Sequence, residues 1–293
     1  MGTSKTADKD KPRSLPTMLR LRIAASNMMS PSHRRGAGNV IVLPFNTGVV
    51  KLDVRPNEMA AMEFVRANTT IPIPKILEIH DRQPDGTAHI VMSHMPGRDL
   101  EQVMVDMSPE QVAALVKELA DYLAQLRQLD KDTVNGEKKA PIIGGVGGIP
   151  GHDIRLGLNR PWGPFQTVTG YHRYLRFNEP LQDWTNEDVK AVHSKPEGHY
   201  RIRFTHADIA PRNIRVGKDG KITGIIDWEF AGWYPEYWEY IKMAYAGALQ
   251  RPGWKKWSDA IEAEGGITKY KDELRADEAI QLRAGPFPYD NMP

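Results

Sequence analysis

The amino-acid sequence predicts an α+β protein in two parts, a small β-rich one over residues 16–94 and a larger, mainly helical one over 95–293, behind a flexible segment at 1–15. Three observations carry this. Short β-branched runs alternate with turn residues through the first ninety or so positions. The Pro96–Gly97 step then breaks the chain into an extended connector, a natural boundary. Apolar residues at helical spacing begin after Ser108 and return after Pro235.

Taken in order, Asn39–Leu43 (NVIVL) and Gly48–Leu52 (GVVKL) are β-rich pieces joined by Asn46, Thr47 and Gly48, the composition of a hairpin that puts Lys51 on a strand. Pro56–Thr69 opens with Pro and Asn and places Met59, Met62 and Val65 at helical spacing, ahead of a break at Pro72 and Pro74. Ala88–Met92 (AHIVM) is a further strand. A long helix follows: Ser108 caps it, Pro109 takes its first turn, Gln111 completes a capping box, and Val112, Leu115, Leu119, Tyr122, Leu126 and Leu129 form its apolar stripe. Lys139–Pro164 is dense enough in Gly and Pro to require a long irregular loop. Ile214–Val216 and Ile222–Ile226 flank GKDGK, whose Asp219 and Gly220 signal a tight hairpin.

Composition excludes several function classes. Lys and Arg number 39 against 37 Asp and Glu, a net charge of +2, so no basic footprint for a phosphate backbone exists and nucleic acid is not the expected partner. There is no cysteine, which removes thiol nucleophiles, zinc ribbons and disulfides and leaves carboxylates, His, Lys, Ser or a hard metal ion for chemistry. With no apolar run of about 18 residues and no apolar stretch at the start, neither a membrane span nor a secretory leader is expected, and the chain reads as cytoplasmic.

The informative stretch is Thr205–Glu229, THADIAPRNIRVGKDGKITGIIDWE. His206, Asp208 and Asn213 form HxDxxxxN, and Asp227 ends the apolar strand after the hairpin. Phosphoryl transfer needs a carboxylate to take the proton of an incoming hydroxyl, and oxygen ligands for Mg²⁺ at the nucleotide phosphates. Asp208 fits the first role; Asn213 and Asp227 fit the second. HxDxxxxN alone equally fits a loop with a capping Asp and a buried His. Lys51 lies among Val49, Val50 and Leu52, where an unpaired ammonium is costly. Glu58, in the first turn of the next helix, can pair with it, unless Lys51 points outward and Glu58 serves the helix N-terminus.

Together, the Lys, Glu, connector, HxDxxxxN, hairpin and Asp resemble the protein-kinase-like fold, and within it the aminoglycoside phosphotransferases and choline-kinase-like small-molecule kinases. HADIAPRNI and IIDWE stand where that family has HGDLxxxN and IDWE. NEMAAMEFVRANTTIPIPKI, IVMSHMPGRDL, the IGGVGG region and AGWYPEYWEY extend the similarity over about residues 36 to 245. The resemblance implies a two-lobed fold using ATP and Mg²⁺ to phosphorylate a hydroxyl of a small molecule: an aminoglycoside-like compound, an amino alcohol or another metabolite. It implies Lys51 on the α/β-phosphates with Glu58 as partner, and Asp208 as catalytic base. Asn213 and Asp227 become the Mg²⁺ ligands, and adenine lies against Ser93, His94 and Met95 with Met92 at the back of its pocket. His206 braces the loop. Glu229 either orients that loop or is a solvated strand-end carboxylate.

This sequence departs from the family in places. Ala207 replaces the usual Gly and Ile209 the usual Leu; a methyl at 207 costs about 1 kcal/mol if φ there is positive. No GxGxxG precedes Lys51, and Gly36, Gly38 and Gly48 read as turn residues. DWE in place of DFG, with no APE-like segment, argues against protein substrates. A catalytically silent relative that binds nucleotide or a partner is the competing expectation.

On the acceptor side, Trp228, Trp233, Tyr234, Tyr237, Trp238 and Tyr240, interleaved with Glu229, Glu236 and Glu239, form either an aromatic and acidic pocket for a cationic amine or part of the core. His152, Asp153, His193 and His199 lack metal-ligand spacing and read as surface loop residues. The pairs Arg34–Arg35 and Lys255–Lys256 read as solvated. The expected assembly is a monomer or weak homodimer with a small-molecule partner.

Overall fold

The structure of the protein, a computed structural model, describes residues 15–29, 34–35, 39–129, 143–156, 160–247 and 252–284. Residues 1–14, Gly36, Gly38, the tail from Gly285 and positions 139–142 and 157–159 of the Gly- and Pro-rich stretch lie outside them. By internal packing the chain divides into two compact units, one built from residues up to Pro56 with Ile76–His94, the other from Asn57–Lys75 with Met95 onward.

In the first unit, helix α1 (Thr17–Met29) precedes strands β1 (Arg34–Arg35), β2 (Val40–Val42) and β3 (Val49–Val54); after helix α2 (Pro56–Asn68) come β4 (Ile76–His80) and β5 (Ala88–Met92). The five strands form an antiparallel sheet in the order β1-β2-β3-β5-β4. The expected hairpin is present: Leu43 N–H donates to the Gly48 carbonyl at 2.8 Å. Lys51 pairs in register with Val40 on one side and Ile90 on the other, at the middle of the sheet. Helix α1 has no clean apolar stripe in the sequence, because its Met18 and Leu21 are exposed. Its Leu19 and Ile23 pack with Ile41, Leu43, Val50 and Val91, and such burial stabilises by about 1.5–3 kcal/mol per side chain. Arg22 ties the helix to Glu78 of β4 at 2.7 Å.

The second unit contains α2, whose Phe64 ring lies 5.3 Å from Phe204 and 5.9 Å from Trp233. It continues with β6 (Arg98–Asp99), α3 (Leu100–Val103), α4 (Pro109–Gln128), α5 (Val168–Leu175), α6 (Glu187–His193), β7 (Ile202–Thr205), β8 (Ile214–Val216) and β9 (Ile222–Ile225). β10 (Gly232–Pro235), α7 (Trp238–Gly247), α8 (Trp254–Ala263) and α9 (Lys271–Ala284) complete it. Helix α4 starts at the expected capping box, with Ser108 and Gln111 satisfying each other's backbone N–H. Its buried stripe runs through Leu123 rather than Tyr122, which is half-buried, and Leu129 is the residue after the last turn. Strands β6, β8 and β9 form a small antiparallel sheet. Gly97 is required there: its φ is +90°, and a Cβ would run into the Val216 carbonyl.

Three surface expectations are overturned by packing. Asp153 is 1% exposed and accepts from Lys242 Nζ at 2.6 Å, Trp238 Nε1 at 3.1 Å and the Arg155 N–H at 2.9 Å. His193 is buried against His172, rings stacked at 4.0 Å, and accepts from Arg176 at 2.6 Å, so it belongs to the core. Lys256 is not solvated: its ammonium reaches the carbonyls of Val105 at 2.9 Å and Met107 at 2.7 Å, just past the end of α3. His199 and Lys255 are exposed.

Candidate active site

The HxDxxxxN segment leaves β7 at Thr205, makes a short turn over Pro211–Asn213 and enters β8. His206 is fully buried and takes no part in the surface. Its Nδ1 accepts the Asp208 N–H at 3.2 Å and its Nε2 lies 3.2 Å from the Ile226 carbonyl, to which it can only donate. The ring is therefore neutral with its proton on Nε2, and burial pushes its pKa down to about 4. His206 thus links the backbone of Asp208 to the residue before Asp227.

Ala207 has φ +61°, the left-handed conformation its glycine-occupied counterpart would take freely. What holds it there is Glu239 on α7, whose carboxylate accepts the N–H groups of His206 at 2.7 Å and Ala207 at 3.1 Å. Burial raises the Glu239 carboxyl to about 7, against those two donors, which favour the ionised form.

Asp208 follows, with Arg212 Nη2 donating to its two carboxylate oxygens at 2.6 and 2.7 Å and Asn213 Nδ2 at 2.7 Å from one of them. Burial raises its pKa, opposed by the Arg212 charge. The hairpin brings the two expected metal ligands to neighbouring positions: Ile226 N–H donates to the Asn213 carbonyl at 2.9 Å, directly before Asp227. Asp227 itself has φ +69°, turning its side chain out of the strand direction. Carboxylate oxygens of Glu58, Asp227 and Glu229 lie within 4.8 Å of one another, an all-oxygen donor set that suits a hard cation such as Mg²⁺.

Of the other expected site residues, Lys51 is 6% exposed on β3, which removes the outward-pointing alternative, and Met92 ends β5. Ser93 and His94 close the first unit and Met95 opens the second, packed so closely on Gly224 that a Cβ there would come within 2.9 Å of its side chain. Glu58 lies in the second unit with Asp208, Asn213 and Asp227. The cationic-amine pocket is not formed. Trp228, Trp233, Tyr234, Tyr237, Trp238 and Tyr240 are all buried, Glu239 is occupied by the loop, and Glu236 accepts the Arg201 N–H at 3.2 Å.

Two contributors were missed. Asn57 is 1% exposed, donates to the Ala231 carbonyl at 2.8 Å and accepts the Val146 N–H at 3.1 Å, so it joins the IGGVGG segment to the chain after Asp227. No local pattern marks it. Arg212 could have been found as a charge four residues after Asp208.

A profile of the phosphotransferase enzyme family matches residues 34–278. Among curated relatives, the clavilactone A biosynthesis cluster protein Y of Ampulloclitocybe clavipes is 26% identical over 258 residues, an alignment covering 78% of this chain and 59% of that protein, so the chain spans less than two thirds of its length. Among solved structures, a thermostable aminoglycoside phosphotransferase APH(4)-Ia superposes with a TM-score of 0.57 at 16% identity, covering 84% of this chain and 80% of the other. A GDP and kanamycin complex of APH(2")-IIia superposes at 0.55 and 15% identity, over 90% and 88%. These superpositions establish a shared fold, mixed helix and sheet with a small antiparallel sheet. The match over most of the chain establishes more: the protein belongs to the phosphotransferase enzyme family.

Proposed function

We propose that the protein is a phosphotransferase that moves the γ-phosphoryl group of ATP to a hydroxyl of a small molecule. The observation that carries this is the Asp208 carboxylate, 12% exposed and fixed by Arg212 and by Asn213, whose own carbonyl accepts the Ile226 N–H directly before Asp227. In this reading a carboxylate oxygen of Asp208 accepts the proton of the acceptor hydroxyl as its oxygen forms the new P–O bond and ADP leaves with the bridging electron pair. Asn213 and Asp227, with Glu229 and Glu58 beside Asp227, would hold Mg²⁺, whose charge would offset that of the nucleotide phosphates. Neutral His206 and Glu239 keep the loop backbone in place, so Asp208 needs no rearrangement to act.

On the nucleotide side, the same reading assigns Lys51 to the α/β-phosphates and the backbone of Ser93, His94 and Met95 to adenine, with Met92 behind it. It takes residues 16–94 and 95–293 as the small and large lobes of a kinase-like enzyme. A cytoplasmic monomer or weak homodimer, acting on neither nucleic acid nor membrane, goes with it; no helix among the described residues is long and apolar enough to cross a membrane.

The test is γ-labelled ATP with Mg²⁺ and a pooled set of hydroxyl compounds, read by mass spectrometry for the unmodified chain and Asp208→Asn. A compound that gains phosphate only with the unmodified chain is the expected result. Nucleotide binding without transfer or hydrolysis by either protein contradicts the proposal and favours a silent relative.

A further inference from the structure

The Arg212 guanidinium spends one nitrogen, Nη2, on both oxygens of Asp208. Its Nη1 and Nε make no hydrogen bond among the described residues, and its side chain is 36% exposed while Asp208 is 12% exposed. A charged donor edge therefore opens to solvent beside the carboxylate assigned to the acceptor hydroxyl. Three of the carboxylates that would attract an amine are committed elsewhere: Glu239 to two backbone N–H groups, Glu236 to another, Asp153 to Lys242.

Resting on the phosphotransferase reading, we infer that Arg212 selects the acceptor, and that the acceptor is a small hydroxy acid, a hydroxyl compound carrying a carboxylate, rather than a polycationic aminoglycoside. The distances are compatible. A hydroxyl bonded to Asp208 and a carboxylate oxygen bonded to Arg212 Nη1 fall on the order of 5 Å apart, within the span of a small hydroxy acid. The charge bookkeeping agrees. When Asp208 takes the hydroxyl proton it becomes neutral and leaves Arg212 without its counter-charge, and the acceptor carboxylate restores the pair. The Arg212 charge disfavours an ammonium at the position beside its own unbonded nitrogens.

The experiment compares hydroxy acids, their methyl esters, neutral polyols and aminoglycosides as acceptors with Mg·ATP, for the unmodified chain, Arg212→Gln and Arg212→Lys. Acceptor-free ATP hydrolysis is measured alongside, with Asp208→Asn as its control. The expected result is a preference for an acid over its own methyl ester of about ten- to a hundredfold in kcat/KM, abolished in Arg212→Gln and partly kept in Arg212→Lys. The ratio between acid and ester isolates recognition, because a purely structural loss would lower both alike. Equal use of acid and ester, a preference that survives Arg212→Gln, or better phosphorylation of aminoglycosides or polyols overturns the inference and leaves the phosphotransferase reading standing. If no compound is phosphorylated the inference also falls, and Asp208-dependent hydrolysis of ATP in the same samples then decides whether the underlying reading survives.

Discussion

Replacing Lys242 by Met strands a carboxylate in the core. Lys242 and Asp153 have side chains 1% and 0% exposed, with Nζ and Oδ1 2.6 Å apart. The variant keeps the Trp238 and Arg155 donors on Asp153 but removes its ion-pair partner, together with the ammonium 5.2 Å over the Phe230 ring. Breaking a buried pair in this way costs about 3–5 kcal/mol, against a total stability of about 5–15 kcal/mol for an ordinary domain. Urea denaturation of both proteins reads this as a shift in midpoint at constant slope. A deficit below about 1 kcal/mol would refute the reasoning.

Two further outcomes follow from the same structure. Gly97→Ala forces a side chain into a left-handed backbone against the Val216 carbonyl and should destabilise by more than about 1 kcal/mol, seen as a lower Tm, whereas an unchanged Tm would mean the connector can move aside. Acidification from pH 6.5 to 5 should also destabilise: His172 and His206 have pKa values lowered by burial to about 3 and about 4, so only the unfolded chain takes up their protons, at about 2 kcal/mol each over that interval. Glu239, raised to about 7, acts in the opposite direction by a similar amount, while His193, lowered by the same burial, adds to the loss, so urea titration should show a net loss of about 2 kcal/mol or more; no loss would place these histidines in contact with solvent.

What was legible in the sequence was what neighbouring residues decide. Ser108 and Gln111, the GKDGK turn and the AHIVM strand each carry their instruction within a few positions, and each appears where expected. The HxDxxxxN spacing and the hairpin before Asp227 were readable for the same reason. Partners far apart in the chain were not. Asp153 lies 89 residues from Lys242, and nothing local distinguishes it from a solvated loop aspartate. Alternating aromatic and acidic residues from 228 to 240 match a cation pocket in composition, yet Glu236 and Glu239 are taken by backbone donors that only the fold positions. Ala207 lies between these cases: the family's glycine hinted at a left-handed residue, and the structure supplies the Glu239 bonds that hold alanine there.

The measurement that bears most directly on the account is Mg²⁺-dependent ATP turnover by the unmodified chain and Asp208→Asn, with nucleotide affinity measured in parallel. A carboxylate acting as general base contributes about a hundredfold or more, so the account predicts at least that loss of turnover with affinity unchanged. Equal turnover by the two proteins would contradict it.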